Sequence, residues 1–218
     1  MKRGLFISID GPDYTGKSTQ AVLLEKYLTE KGRKIIRTRE PGTINIPACA
    51  AIRNILLNPD YQDQITSAAE LCLFSADRAV HMSYLIKPNL EAGIDVITDR
   101  FEHSTTVYQG IAGKLSLETV LLLNKIVTQG IEPDIEFFLD ADFVTVERKR
   151  VYTEYGKPDR IESNSPEFHQ RVTEGFRALA QIFPERIKLI PYREGRPEVM
   201  QDQIRVYVNR LIEVNMQK

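Results

Sequence analysis

Most of what marks a secreted, membrane-bound or polyanion-binding protein is scarce in this 218-residue chain. It has two cysteines, Cys49 and Cys72, with neither C-x-x-C nor metal-like spacing. They read as reduced thiols of a cytoplasmic protein, not as a bridge or a zinc site. No apolar run approaches the ~18 residues that a membrane span needs. The opening MKRGLFISID breaks at Asp10 and no cleavage site follows, so a signal peptide is not expected. With 29 basic and 30 acidic residues the net charge is −1. No bulk field therefore attracts a nucleic acid polymer or an anionic membrane, and any anion site must be local. Repeats, low-complexity segments and interdomain linkers are missing too. What remains is a globular balance of 42% hydrophobic and 27% charged residues, in a length suited to one α/β domain over 1–218.

Against that plain background, LFISIDGPDYTGKST (residues 5–19) stands out. An Ile- and Phe-rich strand runs into G-x-x-x-x-G-K-S, and a helical pattern follows, which is the context a phosphate-binding loop requires. Gly11 and Gly16 let backbone N–H groups turn inward around an oligophosphate, at a helix N-terminus that favours negative charge. The bland alternative is a glycine-rich turn opening a helix. On the sharper reading Gly11, Pro12, Asp13, Tyr14, Thr15, Gly16, Lys17, Ser18 and Thr19 hold a nucleoside triphosphate. Lys17 would reach the β- and γ-phosphates, and the Ser18 hydroxyl would ligate Mg²⁺.

Apolar spacing predicts helices over 17–31, 48–57, 117–127, 144–152, 168–183 and 198–214, and a long helical pattern over 62–92 divided near 82–87, ahead of Pro88. Strands are predicted at the phosphate loop and over 33–38, 94–98, 135–140 and 187–190. The dense apolar run IEFFLD reads as a central strand buried on both faces. Residues 153–165 read as a polar loop. Five strands alternating with helices imply a three-layer fold of the P-loop NTPase type: a parallel sheet with helices on both faces. Ligands in such sheets lie at the carboxyl ends of the strands, where Asp10-Gly11, Arg39-Glu40, Asp99-Arg100 and Asp140 all fall.

Asp99, following an apolar strand, can hold Mg²⁺ directly or through water. Arg100 beside it suits a second anionic substrate, because a guanidinium grips phosphate with paired hydrogen bonds. An Asp–Arg ion pair capping the strand is the other reading.

DRFEHSTTVYQG resembles the D-R-Y-x-x-S-x-x-A-Y-Q segment of thymidylate kinases. Thr38-Arg39-Glu40-Pro41-Gly42 is similar to their T-R-E-P-G, and ELCLFSADRAVH to their L-L-L-F-x-A-D-R-x-x-H. Pro133-Asp134 and Asp159-Arg160-Ile161-Glu162 match as well. The resemblance covers residues 4 to about 190. It departs at Tyr14 and Thr15, where relatives carry small residues, at the missing second glycine after Gly42, at Phe101 in place of Tyr, and at Glu102-His103.

The resemblance makes that triphosphate ATP and implies transfer of its γ-phosphoryl to dTMP, with Mg²⁺ at Ser18 and Asp99. The acceptor site implied is Asp13, Arg39, Phe74, Arg78, Arg100, Ser104, Thr105, Tyr108 and Gln109. Phe74 would stack on thymine, Arg78 would bond its O4, and Arg100 would bind the phosphate. Asp13 would take the 3′-hydroxyl, and Tyr108 would crowd the 2′ position. The nucleophile is a phosphate oxygen, so no strong base is needed, and His103 reads as a local hydrogen-bond partner. With no cation among the variable loop positions, the catalytic arginine is expected from a lid at about 148–165. Arg148 and Arg160 are favoured, with Arg150 close behind and Lys149 and Lys157 nearby. A homodimer through helices 62–92 and 117–127 is expected. The rival readings are a broader deoxynucleoside monophosphate kinase, a deoxynucleoside kinase and a nucleotide-dependent switch.

Overall fold

A computed structural model describes residues 2–43, 45–152 and 158–217. Among them, β1 (Phe6–Asp10), β2 (Ile35–Arg39), β3 (Asp95–Asp99), β4 (Ile135–Asp140) and β5 (Ile187–Pro191) form one all-parallel sheet of order β2-β3-β1-β4-β5. The phosphate-loop strand β1 lies at its centre, with Ile7 in register with Ile97 on one side and Ile135 on the other.

Alternation along the strands sorts residues between the two faces. Ile7, Ile9, Phe137 and Leu139 pack on α1 (Lys17–Glu30) and α9 (Pro197–Gln217), through Leu24, Leu28, Ile204 and Val208. Opposite them, Phe6 and Val96 pack on a continuous helical run. That run is α3 (Ser67–His81), a π-helical stretch Met82–Ile86, and α4 (Lys87–Glu91). The division expected before Pro88 is thus a change of helical pitch, not a break. The run also starts later than the pattern suggested, at Ser67, where Thr66 caps it by accepting from the Ala69 N–H.

The same face carries Ser8, Asp10 and Glu136, which are polar and buried. Over them lies an element that the apolar pattern missed: α5 (Glu102–Thr105) running into a π-helical stretch Thr106–Ala112. Val107, Tyr108 and Ala112 join an apolar cluster, but most of the element's other residues are polar and buried. Ser104 donates to Asp10, and His103 Nδ1 lies 2.8 Å from Glu136 Oε2. His103 is therefore tied to the sheet, a hydrogen-bond partner of a distant residue and not of its neighbour Ser104.

Helix α2 (Pro47–Leu57), α6 (Leu117–Val127), α7 (Phe143–Tyr152) and α8 (Pro166–Ile182) complete the layers within a residue or two of expectation. Of the expected lid, 148–152 belong to α7 and 158–165 form a turn, while 153–157, including Lys157, lie outside the described residues. No helix among the described residues is long and apolar enough to cross a membrane.

Candidate active site

The loop after β1 turns on two glycines. Gly11 has φ 134°, and a Cβ there would stand 2.8 Å from the Leu139 carbonyl oxygen; Gly16 has φ 85°. Only glycine takes both positions without strain. α1 begins at Lys17, whose Nζ donates to Pro12 O at 2.7 Å and lies 3.7 Å from Asp13 Oδ1. Burial and the nearby Arg100 push the Lys17 ammonium below the usual lysine range. One residue on, Ser18 Oγ donates to Asp99 Oδ2 at 2.5 Å. Two hard oxygen donors thus meet where α1 starts and β3 ends, a set suited to Mg²⁺.

Arg100 adopts φ 72° and aims its guanidinium back across the loop. Nη1 donates to Gly11 O at 2.9 Å and Ser104 Oγ at 3.1 Å, while Nη2 donates to Asp13 and, at 3.2 Å, to the Tyr108 hydroxyl. Tyr108 in turn donates to Asp13 Oδ2 at 3.0 Å. Burial alone would raise the Asp13 pKa, but Arg100 and then Lys17 hold it well below the usual carboxylate range. In place of the alternative pairing of Asp99 with Arg100, the structure has a triad of Asp13, Arg100 and Tyr108 from separate elements. Asp99 is left to Ser18.

These groups line one cleft of ≈ 390 Å³. All nine residues assigned to the acceptor line it: Asp13, Arg39, Phe74, Arg78, Arg100, Ser104, Thr105, Tyr108 and Gln109. So do Tyr14, Gly16, Lys17, Ser18, Thr19 and Asp99. Phe74 is half-buried at the edge of the core around Val107 and Tyr108. Arg78 is neither solvated nor free: it donates to Glu40, Thr105, Asn124 and the Phe101 carbonyl, which engages four of its five N–H groups.

Two favoured lid cations point elsewhere. Arg148 is exposed and pairs with Glu194 at 2.5 Å. Arg160 is buried; its Nε donates to Leu56 O at 2.7 Å and its Nη2 lies 2.6 Å from Glu70. Spacing in a basic segment does not reveal which way each side chain turns. Arg150 pairs with Glu147 at 2.6 Å and also donates to the carbonyl of Glu162 at 3.4 Å. The cleft wall includes residues to which no role was assigned: Arg53, Leu57, Asp159, Ile161 and Glu162. Arg53, from α2, faces the same space as Arg39 and Arg100. Burial, then Arg39, lowers its pKa. No sequence signal marks Arg53 out beside Asn54 in a helix whose other residues are apolar. Asp159, Ile161 and Glu162 were visible as part of the matched D-R-I-E run.

A lysine-bearing phosphate loop facing four guanidiniums, in one cleft at the carboxyl edge of a parallel sheet, defines a P-loop nucleotide kinase. Comparison with known proteins narrows the class. A family profile described as thymidylate kinase matches residues 9–204. A thymidylate kinase of Chlorobaculum parvum is 43% identical over 85% of this chain and 87% of its own. One from Exiguobacterium sp. is 38% identical over 99% of both chains. The crystal structure of thymidylate kinase from Ehrlichia chaffeensis superposes with a TM-score of 0.73 at 31% identity, over 94% of this chain and 99% of that one. The chain belongs to the thymidylate kinase family. It is a transferase that uses ATP to phosphorylate dTMP to dTDP, a step in dTTP synthesis.

Proposed function

We propose that ATP and dTMP lie end to end in the cleft, with the ATP phosphates over residues 11–19 and the dTMP phosphate among Arg39, Arg53 and Arg100. The convergence of Lys17, Ser18 and Asp99 with those three arginines in one cavity carries the reading. Ser18 and Asp99 would hold Mg²⁺, which would supply charge that offsets the transferred group. Lys17 and Arg100 do the rest by alignment and charge neutralisation, since the attacking oxygen is already anionic.

At the acceptor, Phe74 stacks on the base, and the remaining N–H of Arg78 Nη2 reaches O4. Asp13, kept ionised by Arg100 and Lys17, accepts from the 3′-hydroxyl. The Tyr108 hydroxyl is pushed well above the usual tyrosine range, first by burial, and so stays a donor that fixes Asp13. Ser104, Thr105 and Gln109 line the same floor. Phe74→Ala and Arg100→Ala are expected to raise KM for dTMP at least tenfold more than KM for ATP. Equal effects on both constants would overturn the end-to-end arrangement.

The chain acts as one domain in the cytoplasm, and as a homodimer. Leu117, Leu121, Leu122 and Ile126 of α6 are exposed, the last two at 59% and 61%, which supports a partner there. Sedimentation at micromolar protein decides it: a dimer that Leu122→Glu converts to monomer supports the reading, and a wild-type monomer refutes it.

A further inference from the structure

Gln109 is buried at 3% exposure, yet it lines the cleft together with Phe74 and Arg78. Its Nε2 donates to Glu70 Oε1 at 2.8 Å. The other carboxylate oxygen, Oε2, lies 2.6 Å from Arg160 Nη2, and Arg160 is itself buried and anchored to the Leu56 carbonyl. Glu70 is not part of the cleft wall. It stands on α3 one turn before Phe74 and two before Arg78, so one face of that helix carries all three.

A side-chain amide can present either of its ends, and its neighbours decide which. Placed between a guanidinium and an amide, the Glu70 carboxylate can only accept. Gln109 must therefore turn its NH₂ to Glu70, which leaves its carbonyl oxygen as the end for a ligand. Among the described residues no donor bonds to that oxygen.

We propose that Glu70 is a positioning residue for base recognition: held by Arg160, it sets the Gln109 amide with its carbonyl toward the base, so that the cleft takes a pyrimidine carrying N3–H and refuses cytosine. The inference deepens the placement of the base at Phe74 and Arg78 proposed above, and rests on it. Thymine presents an acceptor, O4, beside a donor, N3–H. The remaining Arg78 N–H and Gln109 Oε1 offer the reverse order, donor then acceptor. Cytosine inverts both groups: its 4-amino group would meet the guanidinium, and its N3 lone pair would meet Oε1. Leaving buried polar groups unpaired is how a site built for hydrogen bonding rejects the wrong ligand.

The test is the ratio of kcat/KM for dTMP to that for dCMP, in wild type, Glu70→Gln, Gln109→Leu and the double variant. In Glu70→Gln the introduced amide can accept from Arg160 and donate to Gln109, which releases Gln109 to turn its NH₂ to the base. The ratio is expected to fall about tenfold or more, with KM for ATP unmoved. Gln109→Leu should lower it too, and adding Glu70→Gln to that variant should change it no further. Activity on dUMP, which presents the same edge as thymine, should fall with dTMP. A merely structural Glu70 would lower kcat/KM for dTMP and dCMP alike, leaving the ratio at its wild-type value. That result overturns the proposal, as does a wild type that takes both equally, a further fall in the double variant, or dUMP tracking dCMP. If Glu70→Gln does not fold, Glu70→Asp decides, since it keeps the charge beside Arg160 but draws the oxygen back from Gln109: a lowered ratio supports the positioning role and an unchanged one sinks it. Failure of the base placement would show separately, as a KM for dTMP that Phe74→Ala leaves unmoved.

Discussion

Arg78 and Glu40 form an ion pair sealed from solvent: Nε to Oε2 is 2.8 Å, and the side chains are 1% and 3% exposed. His81 Nδ1 reaches the other Glu40 oxygen at 2.9 Å. Removing one partner strands a buried charge, which costs about 3–5 kcal/mol. Glu40→Leu and Arg78→Leu should each lower stability by that order in urea unfolding. The double variant should be less destabilised than the sum, because neither charge is then left alone. Strict additivity would mean that the pair contributes nothing as a pair.

Next to it, Asp77 Oδ1 accepts from the Gly42 N–H at 3.1 Å, which ties α3 to the loop carrying Arg39. Burial, reinforced by Glu40, pushes its pKa up to about 6. A folded-state value above the unfolded one means that the native chain binds the extra proton. The contribution to stability is therefore full below the unfolded value of 3.8 and is lost as pH rises through about 6. Asp77→Asn keeps an acceptor for Gly42 without titrating, so its stability should vary less with pH across that window. Unfolding free energies at a series of pH values, wild type against variant, check the slope; parallel curves would remove Asp77 as its source.

How much of this was legible beforehand depends on what buries each residue. The sheet and the helices that cover it were readable because Ile7, Ile9, Phe137 and Leu139 are buried by apolar packing, which leaves a period in the sequence. Residues 102–112 leave none. Glu102, His103, Ser104, Thr105, Thr106 and Gln109 are buried by hydrogen bonding to groups far away in the chain. The partners of Arg78 escaped for the same reason, since Glu40, Thr105, Asn124 and Phe101 lie on separate segments. The acceptor-side residues were found through motif resemblance, not periodicity. Resemblance could not say that Arg148 turns to Glu194 and Arg160 to Glu70.

Those two arginines should behave differently when removed. Arg160→Ala takes the buried donor from the Leu56 carbonyl and the counter-charge from Glu70 Oε2, while Gln109 still donates to Glu70 Oε1, a loss on the order of 2–5 kcal/mol. Exposed Arg148 holds only a surface pair, worth about 0–1 kcal/mol. Thermal unfolding should fall sharply for Arg160→Ala and barely move for Arg148→Ala. Two unchanged melting curves would mean that Arg160 does not hold α2 against the D-R-I-E turn.

Ser18 and Asp99 give the metal dependence its test. Their oxygens stand 2.5 Å apart, a hydrogen bond that a cation between them would replace. Chelation of Mg²⁺ should abolish dTDP formation, because the charge on the transferred group then lacks its counter-ion. Ser18→Ala removes one oxygen at little cost to the fold, since that side chain is exposed. Transfer at limiting Mg²⁺ should fall by on the order of tenfold or more in that variant, and added Mg²⁺ should restore part of it. Asp99→Asn should shift the Mg²⁺ titration in the same direction by weakening the charge that draws the cation in. A titration curve superimposable on wild type for both variants would place the metal on other ligands.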